Sequence, residues 1–128
     1  MFKFRSHHLI CNLCFQGKGY DDNFIENFDL INKTLAANPN GKYIQVIDGV
    51  DDICFKCPKN KAGVCEDELD ILLIDDSYRA TLQLSRGELF SLNSIKAKVK
   101  NSLSADDFHV ICGQCPWRYL CEPNLEFK

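Results

Sequence analysis

No apolar run in these 128 residues approaches the roughly 20 needed to cross a bilayer. The start, Met1-Phe2-Lys3-Phe4-Arg5-Ser6-His7-His8, has neither the apolar stretch nor the small-residue cleavage site of a secretory signal. Both absences predict a cytoplasmic protein without a membrane partner. Basic charge is not in excess either: 15 Lys and Arg face 18 Asp and Glu, for a net charge of −3. That argues against a general grip on nucleic acid, which needs a basic face to displace counterions. The one dense basic run, Lys96, Lys98 and Lys100, reads as a solvated helix face. Rossmann glycines, the P-loop spacing, a nucleophile elbow and the CxxxCxxC triplet of radical enzymes are all missing. Gly17-Lys18-Gly19-Tyr20 is too short for a phosphate loop and reads as a tight turn presenting Lys18 and Tyr20. No catalytic motif stands out. Disordered or low-complexity arms are also absent, and 45% hydrophobic with 26% charged residues predicts one globular domain over residues 1–128.

What the chain does have is cysteine, eight residues in one pattern. Ile-Cys-x-x-Cys occurs three times, at Cys11/Cys14, Cys54/Cys57 and Cys112/Cys115. The last two pairs are followed directly by Pro58 and Pro116, and then by Cys65 and Cys121. Two thiolates separated by two residues can chelate from a single turn whose amides point at the sulfurs. A reducing compartment makes metal the better reading than disulfides. Zinc would use two CxxC knuckles, Cys54/Cys57 with Cys112/Cys115, and leave Cys65 and Cys121 idle. Iron–sulfur clusters favour a CxxC, a more distant third thiol and a proline after a ligand, and both triplets have all three. The metal is therefore expected at Cys54, Cys57, Cys65, Cys112, Cys115 and Cys121. Cys11 and Cys14 lie among Leu9, Ile10, Leu13 and Phe15, where a buried, unligated thiol is the competing reading. A thioredoxin-like dithiol would need a βαβ context that is not evident.

The expected fold is mostly α with a minor β element, with the cysteines in loops at helix ends. Asp21 and Asp22 precede Phe24, Phe28, Ile31 and Leu35 on one helical face, stopped by Asn38-Pro39-Asn40-Gly41. Lys42 to Ile47 reads as a strand, with Thr81-Leu82-Gln83-Leu84 as its candidate partner. Glu66, Asp67 and Glu68 open a helix whose apolar side is Leu69, Leu72 and Leu73, ending near Ser77 to Thr81. After a turn at Ser85 to Glu88 comes a helix aligned on Leu92, Ile95, Val99 and Leu103. Ser104-Ala105-Asp106-Asp107 then caps a short helix that leads into Cys112. Asp48, Asp51 and Asp52 are placed to order the loop before Cys54 by accepting amide hydrogen bonds, and His109 is expected at the surface.

The segment Cys112 to Cys121, with five residues between Cys115 and Cys121, resembles the last three ligands of the [4Fe–4S] loop in helix-hairpin-helix DNA glycosylases. Where that pattern has its first cysteine this chain has Ala105, and glycosylase function does not carry over. Over nearly its whole length the chain resembles the prokaryotic family called domain of unknown function 1284. The matching residues are His7-His8-Leu9-Ile10-Cys11, Gly17 to Tyr20, Asp48 to Cys54 with Cys57, Gly63-Val64-Cys65, and Cys112 to Cys121 with Trp117-Arg118. The resemblance implies iron–sulfur binding and no established activity, and Cys14 is not among the family's usual cysteines. It also offers Cys11 and one of His7 and His8 to complete two clusters with the triplets. One cluster drawing on both triplets, and a cluster with an open iron, remain alternatives. For His7 and His8 the bland reading, satisfying backbone carbonyls, stands beside ligation or proton transfer. The functional expectation is one or two [4Fe–4S] clusters serving electron transfer with a redox partner, shielded from water by Trp117, Tyr119 and Phe55. A structural zinc module mediating macromolecular contacts and an open-iron enzyme are the alternatives.

Overall fold

The computed structural model describes residues 1–113, 115 and 118–128. Strand β1 (Phe2–Arg5) runs directly into helix α1 (Ser6–Cys14), and α2 (Asp22–Ala37) returns the chain to strand β2 (Tyr43–Ile47). A single 3₁₀ turn, Cys54–Lys56, leads into the small hairpin of β3 (Asn60–Lys61) and β4 (Val64–Cys65). Helix α3 (Glu68–Leu82), strand β5 (Leu89–Ser91) and helices α4 (Leu92–Ser102), α5 (Ala105–Ile111) and α6 (Arg118–Cys121) complete the order, with a last 3₁₀ turn at Glu122–Asn124. The architecture is mostly helical with a small sheet, as the sequence predicts.

The caps sit where the sequence puts them. Asp21 Oδ1 accepts from the Phe24 amide and Ser104 Oγ from the Asp107 amide, satisfying first-turn donors of α2 and α5. Phe24, Phe28, Ile31 and Leu35 form the buried stripe of α2; Leu92, Ile95 and Val99 form that of α4. His109 is exposed and bonds Glu122 at 2.5 Å.

The sheet corrects two expectations. The partner of β2 is not Thr81–Leu84, because Thr81 and Leu82 belong to the last turn of α3. β2 pairs in parallel with β1, Phe4 opposite Val46, and antiparallel with β5, Ile44 opposite Phe90. These four side chains are buried in the core shared with the helices. The parallel pair requires a long crossover, which α1 and α2 supply.

The apolar side of α3 is also different. Leu69 and Leu73 are exposed, at 81% and 68%, while Asp75, Tyr78 and Leu82 are buried. A helix rotated to bury Leu69 and Leu73 would turn Asp75 away from Arg5 and His7, leaving a buried guanidinium without its carboxylate. The buried ion pair therefore sets the orientation of α3.

Candidate metal centre

One cavity of about 440 Å³ is lined by all eight cysteines. That volume lies in the range of small-molecule and cofactor sites. Cys11 and Cys14 project from α1, Cys54 and Cys57 from the first 3₁₀ turn and its end, and Cys65 from β4. Cys112 and Cys115 follow α5, and Cys121 closes α6. Cys11 thus sits inside α1 and Cys65 on a strand, which corrects the expectation that every cysteine lies in a loop at a helix end, while Cys14 and Cys121 are the last residues of α1 and α6. All eight are free thiols.

The thiols fall into two neighbourhoods. Burial first, then the proximity of Cys121, Cys112 and Cys115, pushes the Cys11 thiol well up. Cys112 is raised to about 11, by burial and then by Cys115 and Cys121, against the pull of a hydrogen bond from Tyr78. Cys57 is raised by burial, opposed by an amide hydrogen bond from Lys59, and raised further by the proximity of Cys54 and Cys65. Five thiols (Cys11, Cys14, Cys112, Cys115 and Cys121) therefore crowd one part of the wall and three (Cys54, Cys57 and Cys65) the other. The Cys14 thiol is pushed well up by its hydrogen bond with Cys121 and by burial, and the same bond lowers Cys121.

Two histidines and their carboxylates complete the lining. His8 Nδ1 meets Asp51 Oδ2 at 2.6 Å, and Asp51 also accepts the amides of Arg5 at 2.6 Å and Cys54 at 3.0 Å. Burial would lower the His8 pKa, but the Asp51 carboxylate outweighs it and holds it at about 10. His8, Asp51 and Cys54 present potential ligand atoms within 4.8 Å of one another. His7 Nδ1 meets Asp75 Oδ1 at 2.7 Å, while burial and the adjacent His8 charge keep His7 below its ordinary pKa. Both histidines line the cavity, and in each ring a carboxylate holds Nδ1, the contact by which an outer carboxylate orients a metal-binding imidazole.

Arg5 ties these parts together from a position only 1% exposed. Its Nε bonds Asp75 Oδ2 at 2.7 Å and its Nη2 bonds Glu68 at 2.7 Å. Asp75 is pushed up by its own burial, yet hydrogen bonds from His7 and Arg5 hold it at about 2. Tyr78, fully buried, places its hydroxyl 2.6 Å from Cys112 Sγ. Arg5, Asp75, Glu68 and Tyr78 were not foreseen. The available signal was an aspartate inside the apolar stretch of α3, in Ile74-Asp75, where an unpaired carboxylate would not be tolerated.

The amide-ordering role expected of three aspartates holds for two. Asp51 serves Cys54 and Arg5, and Asp52 Oδ2 accepts the Lys3 amide at 2.7 Å, whereas Asp48 instead pairs with Arg79 and Arg86. The expected shield is different as well. Phe55 and Tyr119 are each 69% exposed, and Trp117 lies outside the described residues. The apolar lining comes instead from Phe15, Phe24, Phe28, Ile71, Ile74 and Leu120. Phe55 faces outward because the 3₁₀ turn directs Cys54 inward on one side and its neighbour away on the other.

A family model described as "Protein of unknown function (DUF1284)" matches residues 19–121. The chain belongs to this family. The match contains the cysteines from Cys54 to Cys121, while α1 with His7, His8, Cys11 and Cys14 precedes it. Neither the curated proteins nor the solved structures yield a match to this DUF1284 chain. Among its described residues no helix is long and apolar enough to cross a membrane.

Proposed function

We propose that this protein binds two [4Fe–4S] clusters and passes electrons to and from a partner protein in the cytoplasm. The observation that carries the reading is the convergence of all eight thiols, from four elements and the loops that flank them, on one cavity. The donor set suits the group: thiols of both triplets, an amide on Cys57 Sγ and a hydroxyl on Cys112 Sγ are what thiolate-ligated clusters use. When bound, such a cluster accepts and releases single electrons.

The two neighbourhoods suggest the ligand sets. Cys54, Cys57 and Cys65 would be joined by His8 Nε2, and Cys112, Cys115 and Cys121 by Cys11. Asp51 holds the His8 ring in place, and ligation replaces the proton that His8 otherwise carries. Tyr78 donates to the Cys112 sulfur, spreading the charge that thiolates crowded in a low-dielectric wall would concentrate. Phe15, Phe24 and Phe28 keep water from that wall.

One observation favours zinc as a second reading. His8, Asp51 and Cys54 lie close enough to share a single ion, and nitrogen, oxygen and sulfur ligands together suit Zn²⁺. Iron, acid-labile sulfide and zinc per chain, measured on protein purified without oxygen, separate the two. About eight iron and eight sulfide with a brown chromophore is the expected result. Colourless protein with stoichiometric zinc and no sulfide would overturn it.

A further inference from the structure

Among the described residues three buried side-chain atoms have no hydrogen-bond partner: Arg5 Nη1, Ser6 Oγ and Arg79 Nε. Of these three residues only Arg5 lines the cavity of the cysteines. A guanidinium carries its N–H donors on two edges of one plane. The edge formed by Nε and Nη2 is taken, by Asp75 at 2.7 Å and by Glu68 at 2.7 Å. Those carboxylates supply the counter-charge, so they account for the cation at position 5 and for that edge. They leave the N–H groups of Nη1 buried without an acceptor, a state that folded proteins avoid. The acceptor is therefore sought in what fills the cavity. The main chain fixes where Arg5 stands in its wall: the Arg5 amide donates to Asp51 Oδ2 at 2.6 Å and the Cys54 amide to Asp51 Oδ1 at 3.0 Å. Glu68, which holds Nη2, is three residues beyond Cys65. Arg5 thus stands on the side of Cys54, Cys57 and Cys65.

We propose that Arg5 Nη1 donates a hydrogen bond to a sulfur of the cluster bound by Cys54, Cys57 and Cys65. The inference rests on the cluster reading above. The acceptor is a sulfide of the cluster or one of its ligating thiolates. Asp75 and Glu68, both on α3, clamp the other edge of the guanidinium, so its plane is set before the cluster arrives and Nη1 is a preorganised donor. A donor on sulfur favours the reduced, more negative state. Arg5 acts in this way on one cluster, whereas the Tyr78 hydroxyl, on Cys112 Sγ, acts on the other. The two clusters are thereby tuned by different side chains, and Arg5 ties β1 and α3 to its cluster without being a ligand.

Arginine isotopically labelled at its guanidinium nitrogens reports the contact. Wild type, Arg5→Lys and Arg118→Lys are grown on the labelled amino acid, purified without oxygen and reduced, and pulsed electron paramagnetic resonance reads the nitrogen couplings of the clusters. The expected result is an arginine coupling in wild type that is lost in Arg5→Lys, with about eight irons in both. The reduction potential of one cluster falls in Arg5→Lys and that of the other is unchanged. Arg118, close in sequence to Cys115 and Cys121, is the competing source, and Arg118→Lys should keep the coupling. That variant decides the matter if Arg5→Lys does not fold. Iron-replete wild type without an arginine coupling would overturn the contact, since water would then be what satisfies Nη1. So would a coupling that survives Arg5→Lys or disappears in Arg118→Lys. Wild type without iron would sink the cluster reading and this proposal with it, whereas those other patterns, in iron-replete protein, sink the Arg5 contact alone.

Discussion

Among single residues, Tyr78 and Asp75 have the most specific roles. Tyr78 reaches Cys112 Sγ at 2.6 Å from a fully buried position, and a hydrogen bond to a ligating sulfur favours the reduced, more negative cluster. Tyr78→Phe should leave the iron content unchanged. Taking the differential worth of the bond as about 0.5–1.5 kcal/mol, the variant should lower one reduction potential by roughly 20–60 mV in protein-film voltammetry. Asp75 neutralises Arg5 and orients His7 in surroundings that exclude water. Asp75→Asn should destabilise the metal-free protein by about 3–5 kcal/mol in denaturant titration, the usual effect of stranding a buried charge. The sign of its pH dependence follows from a pKa held at about 2, below the ordinary carboxylate value of 3.8. The contribution is complete above about pH 4 and is lost as pH falls toward 2, so wild type should weaken across that window more steeply than Asp75→Asn. The cysteines were legible because spacing announces chelation. Asp75 and Tyr78 were not, because their roles arise only after α3 packs against β1 and α5.

Among the elements, legibility tracked the distance over which each is decided. α2, α4 and α5 depend on local periodicity and caps, and Asp21, Ser104 and the stripe from Phe24 to Leu35 announced them. The pairing of β2 with β1 spans about forty residues, and strands of four and five residues carry no pairing code strong enough to choose among partners. The face of α3 was misjudged for a related reason. Leucine spacing pointed one way, and the Arg5–Asp75 pair, formed across 70 residues, turned the helix the other. The end of α3 offers a test of purely local strain. Gln83 closes the helix with φ at 55°, in the left-handed region that suits glycine. Gln83→Gly should stabilise the protein by about 0.5–1 kcal/mol and raise its thermal midpoint by a few degrees, with no change in metal content. A lower midpoint would show that the Gln83 side chain contributes more than its backbone costs.

For the whole molecule, two kinds of cohesion coexist. The sheet and α2, α4 and α5 share one apolar core, while the stretches 54–65 and 112–121 contribute Cys54, Cys57, Cys65, Cys112, Cys115 and Cys121 to the cavity and, among the described residues, little large apolar burial. Removing metal with chelator and oxidant should therefore leave most helical circular dichroism in place. The same treatment should make those two stretches the first sites of limited proteolysis. Simultaneous loss of all helicity would show instead that the metal supports the entire fold.

The placement of the cysteines also imposes an order on biosynthesis. Cys11 and Cys121 crowd the same part of the wall, yet 110 residues of synthesis separate them (121 minus 11). At about 5–20 residues per second, the first thiol waits roughly 5–20 s before its last counterpart exists. No partial chain can complete the wall, so under the proposed cluster reading a delivery system would act on a nearly finished polypeptide. During that interval the nascent thiols lack the enclosure that the finished cavity gives them.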